Sequence, residues 1–143
     1  MSVRIQYRLG ISGTREAIWE VIADLPNWGA WNPLYPKATG AIGFGATLRL
    51  EEHAPPHPPR NLVFKVTDWG PGEHLYMRAP AGLLTTRLQY IELEAVADKG
   101  CIVAAGVIFN GMGEGGQGRA NRHLREGFTA MLEGMKAKVE GGA

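Results

Sequence analysis

Two stretches of this chain carry residue types and spacings that could do chemistry. DLPNWGAWNPLYP, residues 24–36, sets Trp28, Trp31 and Tyr35 among three prolines within thirteen positions. Indole and phenol rings each bring a large apolar surface and one polar group, which suits either a core plug or a platform for a ligand. Aromatic side chains at such spacing more often simply fill space. Asn32, placed before Pro33, reads as a capping or turn residue rather than a catalyst.

The second stretch is TTRLQYIELEA, residues 85–95. Ile91 and Leu93 alternate with Glu92 and Glu94, so the apolar pair should face a core, and carrying that phase backward turns Gln89 and Arg87 inward too. A buried Arg87 would have to meet a carboxylate, reach a cavity mouth or await a ligand's oxygen, because an unpaired internal charge costs several kcal/mol. The rival reading is a bulge near Tyr90 that turns Leu88 and Tyr90 inward and leaves Arg87 on the surface. The sequence leaves both open.

Other chemistry finds less support. His53 and His57 are four apart, but the Ala-Pro-Pro between them forbids the helix that would bring them to one face, and no carboxylate pattern completes a metal site. His74 falls opposite in phase to Leu75 and Met77, on the solvent face of its strand. GMGEGGQG, 111–118, precedes a helix, yet no Lys-Ser/Thr follows its last glycine, so it fails the phosphate-loop test. A flexible gate or a plain linker remains for it. No serine elbow or paired histidine and carboxylate appears at a recognisable spacing. No metal, nucleotide or flavin is therefore expected.

Composition narrows the classes further. The 143 residues fit one domain spanning 1–143, and the 15 basic and 14 acidic residues nearly cancel, leaving no broad footprint for nucleic acid. Cys101 is the single cysteine, which excludes an internal disulfide and suits a reducing cytoplasm. No apolar run reaches membrane-spanning length, so no integral membrane association is expected.

The elements that must position these residues follow from periodicity. Val3, Ile5, Tyr7, Leu9 and Ile11 recur every second residue as a first strand. Ser12 and Thr14 offer caps for a short helix with Ala17, Ile18, Val21 and Ile22 on one stripe, ending near Asp24. Strand candidates follow at roughly 44–53, 61–69, 73–80, 85–96 and 100–110, with AIGFG and ADKG as hairpin connections and HAPPHPPR, 53–60, as a rigid exposed loop. Leu124, Phe128, Met131, Leu132, Met135 and Val139 then mark one face of a helix expected over about 118–139. A sheet this long with one long helix to cover it would curl around that helix, giving an α+β domain.

The segment ISGTREAIWEVIADLPNWGAWNP, from Ile11 to Pro33, resembles the amino-terminal signature of the polyketide cyclase/dehydrase and lipid-transport proteins of the START-like, birch-pollen-allergen-like superfamily. The likeness continues through WNPLYP, FGATLRL, VTDWGPGEHL and the final helix, nearly the whole chain. It implies the helix-grip fold: a curved antiparallel sheet wrapped around a long C-terminal helix, two short helices after the first strand, and an apolar cavity between sheet and helix. Trp28, Trp31 and Tyr35 would then form part of the cavity wall or its mouth.

The function expected on these grounds is binding of a small hydrophobic molecule, a lipid, polyketide or aromatic compound, by a monomer or homodimer. Trp31, Tyr35, Phe64 and Met77 would line the pocket with Ile91, Phe109, Phe128 and Leu132, joined by Trp28, Arg87 and Gln89. Gly127 and Gly134 cost the final helix about 1 kcal/mol each relative to alanine, so either room beneath it matters or they sit neutrally on an exposed flank. The alternatives are an aromatase/cyclase-like enzyme, with Arg87, Gln89 or Tyr35 steering enolate chemistry, and a protein-interaction module without ligand. Against the enzyme, Val103, Ala105, Val107 and Phe109 present an all-apolar inward row on the last strand, where catalytic relatives carry acid or histidine.

Overall fold

The alternation at the amino terminus becomes strand β1, Ser2–Ser12, in a computed structural model that describes residues 2–82, 84–97 and 100–141. Helix α1, Arg15–Ala23, starts where the Thr14 hydroxyl accepts a hydrogen bond from the Ala17 N–H at 3.1 Å, and it buries Ile18 and Ile22. Past Asp24 the chain tightens into a 3₁₀ helix, Leu25–Ala30, with Pro26 in its first turn. A proline so placed lacks only an N–H that would find no intrahelical partner there.

Six further strands complete one sheet: β2 (Lys37–Thr39), β3 (Thr47–Glu52), β4 (Arg60–Gly70), β5 (His74–Pro80), β6 (Thr85–Ala97) and β7 (Gly100–Gly111). Their order is β1-β7-β6-β5-β4-β3-β2, with every pair antiparallel. Three-residue β2 was not anticipated, because a strand that short carries no readable period. AIGFG lies in the β2–β3 connection as expected, whereas Asp98 and Lys99 of the ADKG turn lie outside the described residues.

The phase question in β6 resolves toward the inward reading. Pairing with β5 runs unshifted from Thr86 to Glu92 and with β7 from Thr85 to Ala95, and the shift in the β7 ladder falls at Ala95/Ala97, well past Tyr90. Arg87, Gln89, Ile91 and Leu93 therefore share the concave face and are buried. Tyr90 is buried as well, on the opposite face, where its hydroxyl donates to the Gln6 side chain.

The carboxy-terminal third departs from expectation in one respect. The single helix expected from about residue 118 is two: α2, Glu114–Ala120, and α3, Leu124–Glu140, separated by a turn at residues 121–123. Asn121 makes the break, its backbone N–H and its side-chain amide both returning to the Gln117 carbonyl. Glycine-rich 114–118 is thus ordered helix, and Gly118 shows why: a Cβ there would sit 2.5 Å from Val3 Cγ1, so glycine lets α2 lie against β1.

Helix α3 lies within the curl of the sheet and buries Leu124, Phe128, Met131, Leu132 and Met135 against it. Its last turn is tied to β1 by a 2.9 Å hydrogen bond from the Ser12 N–H to the Glu140 carboxylate. Among the described residues, no helix is long and apolar enough to cross a membrane. The two helix glycines serve close approach rather than an empty space. A Cβ at Gly134 would overlap the Trp31 carbonyl oxygen, and one at Gly127 would come within 2.7 Å of Leu34 Cδ1. The segment after the 3₁₀ helix fills the room they leave.

Gly134→Ala should therefore destabilise the protein by about 1–3 kcal/mol despite alanine's better helix propensity, the scale of overpacking a tight interface. Gly10→Ala, where a Cβ meets nothing within 4 Å, should change stability by no more than about 0.5 kcal/mol. Urea titrations of both variants check this, and a Gly134→Ala protein as stable as wild type would show that α3 can lift off the 31–34 segment freely.

Candidate functional site

The interior is apolar except at one end. There Tyr35, Glu52, Arg87 and Gln89, all buried, meet in a continuous hydrogen-bonded cluster.

Each member is brought in by local structure. The Asn32 side-chain oxygen accepts from the N–H groups of Leu34 (3.1 Å) and Tyr35 (3.0 Å), folding the Asn-Pro turn that aims Tyr35 inward. Glu52 continues the inward phase of Leu48 and Leu50 along β3, and the adjacent His53 N–H donates to the Leu34 carbonyl at 2.8 Å, which draws the strand end toward the Tyr35 turn. Arg87 and Gln89 are two apart on β6 and so share a face.

The Tyr35 hydroxyl donates to Glu52 Oε2 at 2.8 Å and accepts from Arg87 Nη2 at 2.9 Å and Gln89 Nε2 at 2.5 Å. Arg87 Nη2 also donates to Glu52 Oε2, and Arg87 Nε donates to Gln89 Oε1 at 2.9 Å. The guanidinium lies 5.6 Å from the centroid of the Phe64 ring. Arg60, half-buried, closes the outer side: its Nε and Nη2 donate to Glu52 Oε1 at 2.9 and 2.7 Å, and Nη2 reaches Asn121 Oδ1 at 2.6 Å.

Burial alone would raise the Glu52 carboxyl, but the Arg87 charge and the hydrogen bonds from Arg87, Arg60 and Tyr35 outweigh it and hold the group below its ordinary 4.5. Burial pushes the Tyr35 phenol well above its ordinary 10, so the hydroxyl keeps its proton.

A cleft of about 280 Å³ opens on this cluster, between α2 and the sheet end. Leu62, Pro80, Ala81 and Phe109 form apolar walls, and Arg60, Arg87, Gln117 and Asn121 are the polar lining, with Gly82 at the rim. Phe109 is directly opposite Arg87 in the β6–β7 ladder.

Of the residues singled out from sequence, Tyr35, Arg87 and Gln89 form the cluster, Phe64 underlies it and Phe109 walls the cleft. Met77, Ile91, Phe128 and Leu132 are buried in the core and do not border the cleft. Trp28 packs its ring 6.5 Å from that of Tyr35 and 5.8 Å from that of Trp31. The Trp28 indole N–H donates to the Ile22 carbonyl at 3.0 Å, sealing the end of α1. Trp31 borders a separate cleft with Ala17, Val21 and Lys138.

Sequence reasoning missed Glu52, Arg60 and Asn121. The phase of β3 pointed to Glu52, since the argument that turned Arg87 inward turns Glu52 inward from Leu48 and Leu50. Nothing comparable marked Arg60 at a strand start or Asn121 in a helix break. His53 pairs with Glu51 at 2.6 Å, while His57 binds the Ala120 carbonyl at 2.9 Å and packs 4.6 Å from the His123 ring. His74 contacts Asp68 at 3.1 Å on the outer face. Among the described residues, no group of three His, Cys, Asp or Glu could hold a metal.

No protein-family model and no curated protein matches the chain. Solved structures do. The Zhui aromatase/cyclase from a Streptomyces species is 13% identical with a TM-score of 0.77, over 98% of this chain and 94% of its own. A START superfamily protein from Mycobacterium smegmatis is 10% identical with a TM-score of 0.77, over 98% and 99%. Norcoclaurine synthase from Thalictrum flavum, in complex with dopamine and hydroxybenzaldehyde, is 13% identical with a TM-score of 0.74, over 100% and 89%. The chain shares the helix-grip fold of these structures, the fold that the resemblance in its sequence implied.

Glu52→Gln should cost about 3–5 kcal/mol at pH 7, because it leaves a buried Arg87 charge without its counter-ion. Arg87→Met should cost less in that background than in wild type. Since the folded Glu52 carboxyl titrates below its ordinary value, its contribution is complete above about pH 4.5 and is lost as pH falls through the folded value. The Glu52→Gln variant should therefore lose less stability than wild type on acidification below pH 4.5. Urea titrations across pH read both effects, and strictly additive single and double variants would mean that the pair is not coupled.

Proposed function

We propose that this protein binds a small, mainly apolar molecule, a lipid, polyketide or aromatic compound, at the open end of the helix grip. The observation that carries the reading is the division of the cleft over Arg87, with apolar walls from Leu62, Pro80, Ala81 and Phe109 and polar groups from Arg60, Arg87, Gln117 and Asn121. Such a site holds an apolar body and orients one polar end, the arrangement general to small-molecule pockets. The inward row Val103, Ala105, Val107 and Phe109 extends the apolar surface beneath it. The fold is shared with a START superfamily protein and with an aromatase/cyclase, which agrees with ligand binding in general.

A second reading is aromatase/cyclase-like catalysis in the same place. It is favoured by the Tyr35 phenol, held protonated among Arg87, Gln89 and Glu52, a set that could steady a developing enolate by hydrogen bonding. Conversion of an added poly-β-keto substrate, followed by chromatography and mass spectrometry, separates this reading from simple binding.

Native mass spectrometry of freshly purified protein should reveal a co-purified small molecule. Protein stripped of it should enhance the fluorescence of the neutral apolar dye Nile red. Absence of any bound species together with no dye response would overturn the ligand-binding reading and favour a protein-interaction module.

A further inference from the structure

The charges around the cleft do not balance. Arg60 and Arg87 both donate to Glu52, the Tyr35 phenol is neutral, and Gln89, Gln117 and Asn121 carry no charge, so two guanidinium groups share one carboxylate. Among the described residues that line the cleft, none is acidic. Both oxygens of Glu52 are already filled, Oε1 by Arg60 and Oε2 by Tyr35 and Arg87.

The donors do not balance either. A guanidinium has five N–H groups. Arg87 commits Nε to Gln89 and Nη2 to Tyr35 and Glu52, and among the described residues nothing engages its Nη1, which leaves that nitrogen to the cleft the residue lines. Arg60 commits Nε and Nη2 to Glu52 and Asn121 and leaves its own Nη1 without a protein partner among the described residues. Both residues line the cleft.

From this excess of one positive charge and of donors, we propose that the polar end taken by the cleft is a carboxylate carried on a small apolar body. The inference rests on the ligand-binding reading and narrows it. A carboxylate matches planar guanidinium donors and brings the site, as counted, to neutrality. A phosphate monoester dianion would overshoot by one charge in a poorly solvated place, which is costly. A neutral ester or hydrocarbon would leave the Arg87 Nη1 donors desolvated and unanswered.

Calorimetric titration with 2-naphthoate, its methyl ester and 2-naphthyl phosphate tests this, folding of each variant being checked by circular dichroism. Naphthoate should bind at least tenfold more tightly than the ester and more tightly than the phosphate. Arg60→Gln should bring acid and ester near parity, while Arg60→Lys, which keeps the charge, should retain most of the preference. Equal binding of acid and ester to wild type, tighter binding of the phosphate, or an acid preference unchanged in Arg60→Gln would each overturn the carboxylate assignment and leave the apolar-ligand reading standing. Binding of none of the three probes would count against both.

Discussion

A guanidinium that is almost wholly buried must be answered largely from inside the protein, and Arg87 imposes that requirement on much of this structure. An unanswered charge there would cost several kcal/mol, a large share of the total stability of a domain of this size. The answer is assembled from distant parts of the chain: Tyr35 from the Asn-Pro turn, Glu52 from the end of β3, Gln89 from the same strand, and Arg60 with Asn121 as an outer layer. The Asn32 turn, the His53–Leu34 hydrogen bond and the uninterrupted register of β6 are the local conditions that let these groups meet.

Such a cluster adds little net stability. Desolvating two charges roughly cancels their attraction, and well-packed apolar side chains of similar volume often serve a core as well or better. The outer face of the sheet offers a contrast. There the Tyr76 hydroxyl donates to Glu92, the Tyr90 hydroxyl donates to Gln6, and the Arg4 guanidinium lies 5.6 Å from the Tyr90 ring centroid. Burial and the Glu92 charge push the Tyr76 phenol up to about 12, yet Glu92 keeps access to solvent and needs no enclosing set of partners. Polar groups on that face follow from the two-sidedness of an antiparallel sheet. Those around Arg87 do not, and the proposed ligand with one polar end would give them a use.

Packing supports this division of labour. Gly118 seats α2 against Val3, and Gly134 seats α3 against the Trp31 backbone, so both helices approach as closely as a chain without a Cβ allows. Trp28, held by the Ile22 carbonyl, closes the core at the α1 end. The polar cluster lies under the cleft between α2 and the sheet, with the Trp28 ring packed 6.5 Å from that of Tyr35.

Period and punctuation were local enough to read directly. The alternation of β1 and β6, the Thr14 cap, the turn role of Asn32 and the apolar stripe of α3 are properties of neighbours in sequence, set by backbone geometry. The fold followed from them and from the amino-terminal resemblance. β2 and the break at Asn121 were not legible, since a three-residue strand has no period and the side chain that ends α2 is set by what it meets in space. Arg87 was half legible: strand phase named its face and its need for a counter-ion, but whether a bulge intervened depended on pairing with β5 and β7, and its partners lie 35 and 52 residues away. The sequence by itself thus determined which faces are buried. Only the tertiary structure decided which buried charges meet, because a hydrogen bond across that separation is selected by packing and desolvation in three dimensions, not by any pattern along the chain.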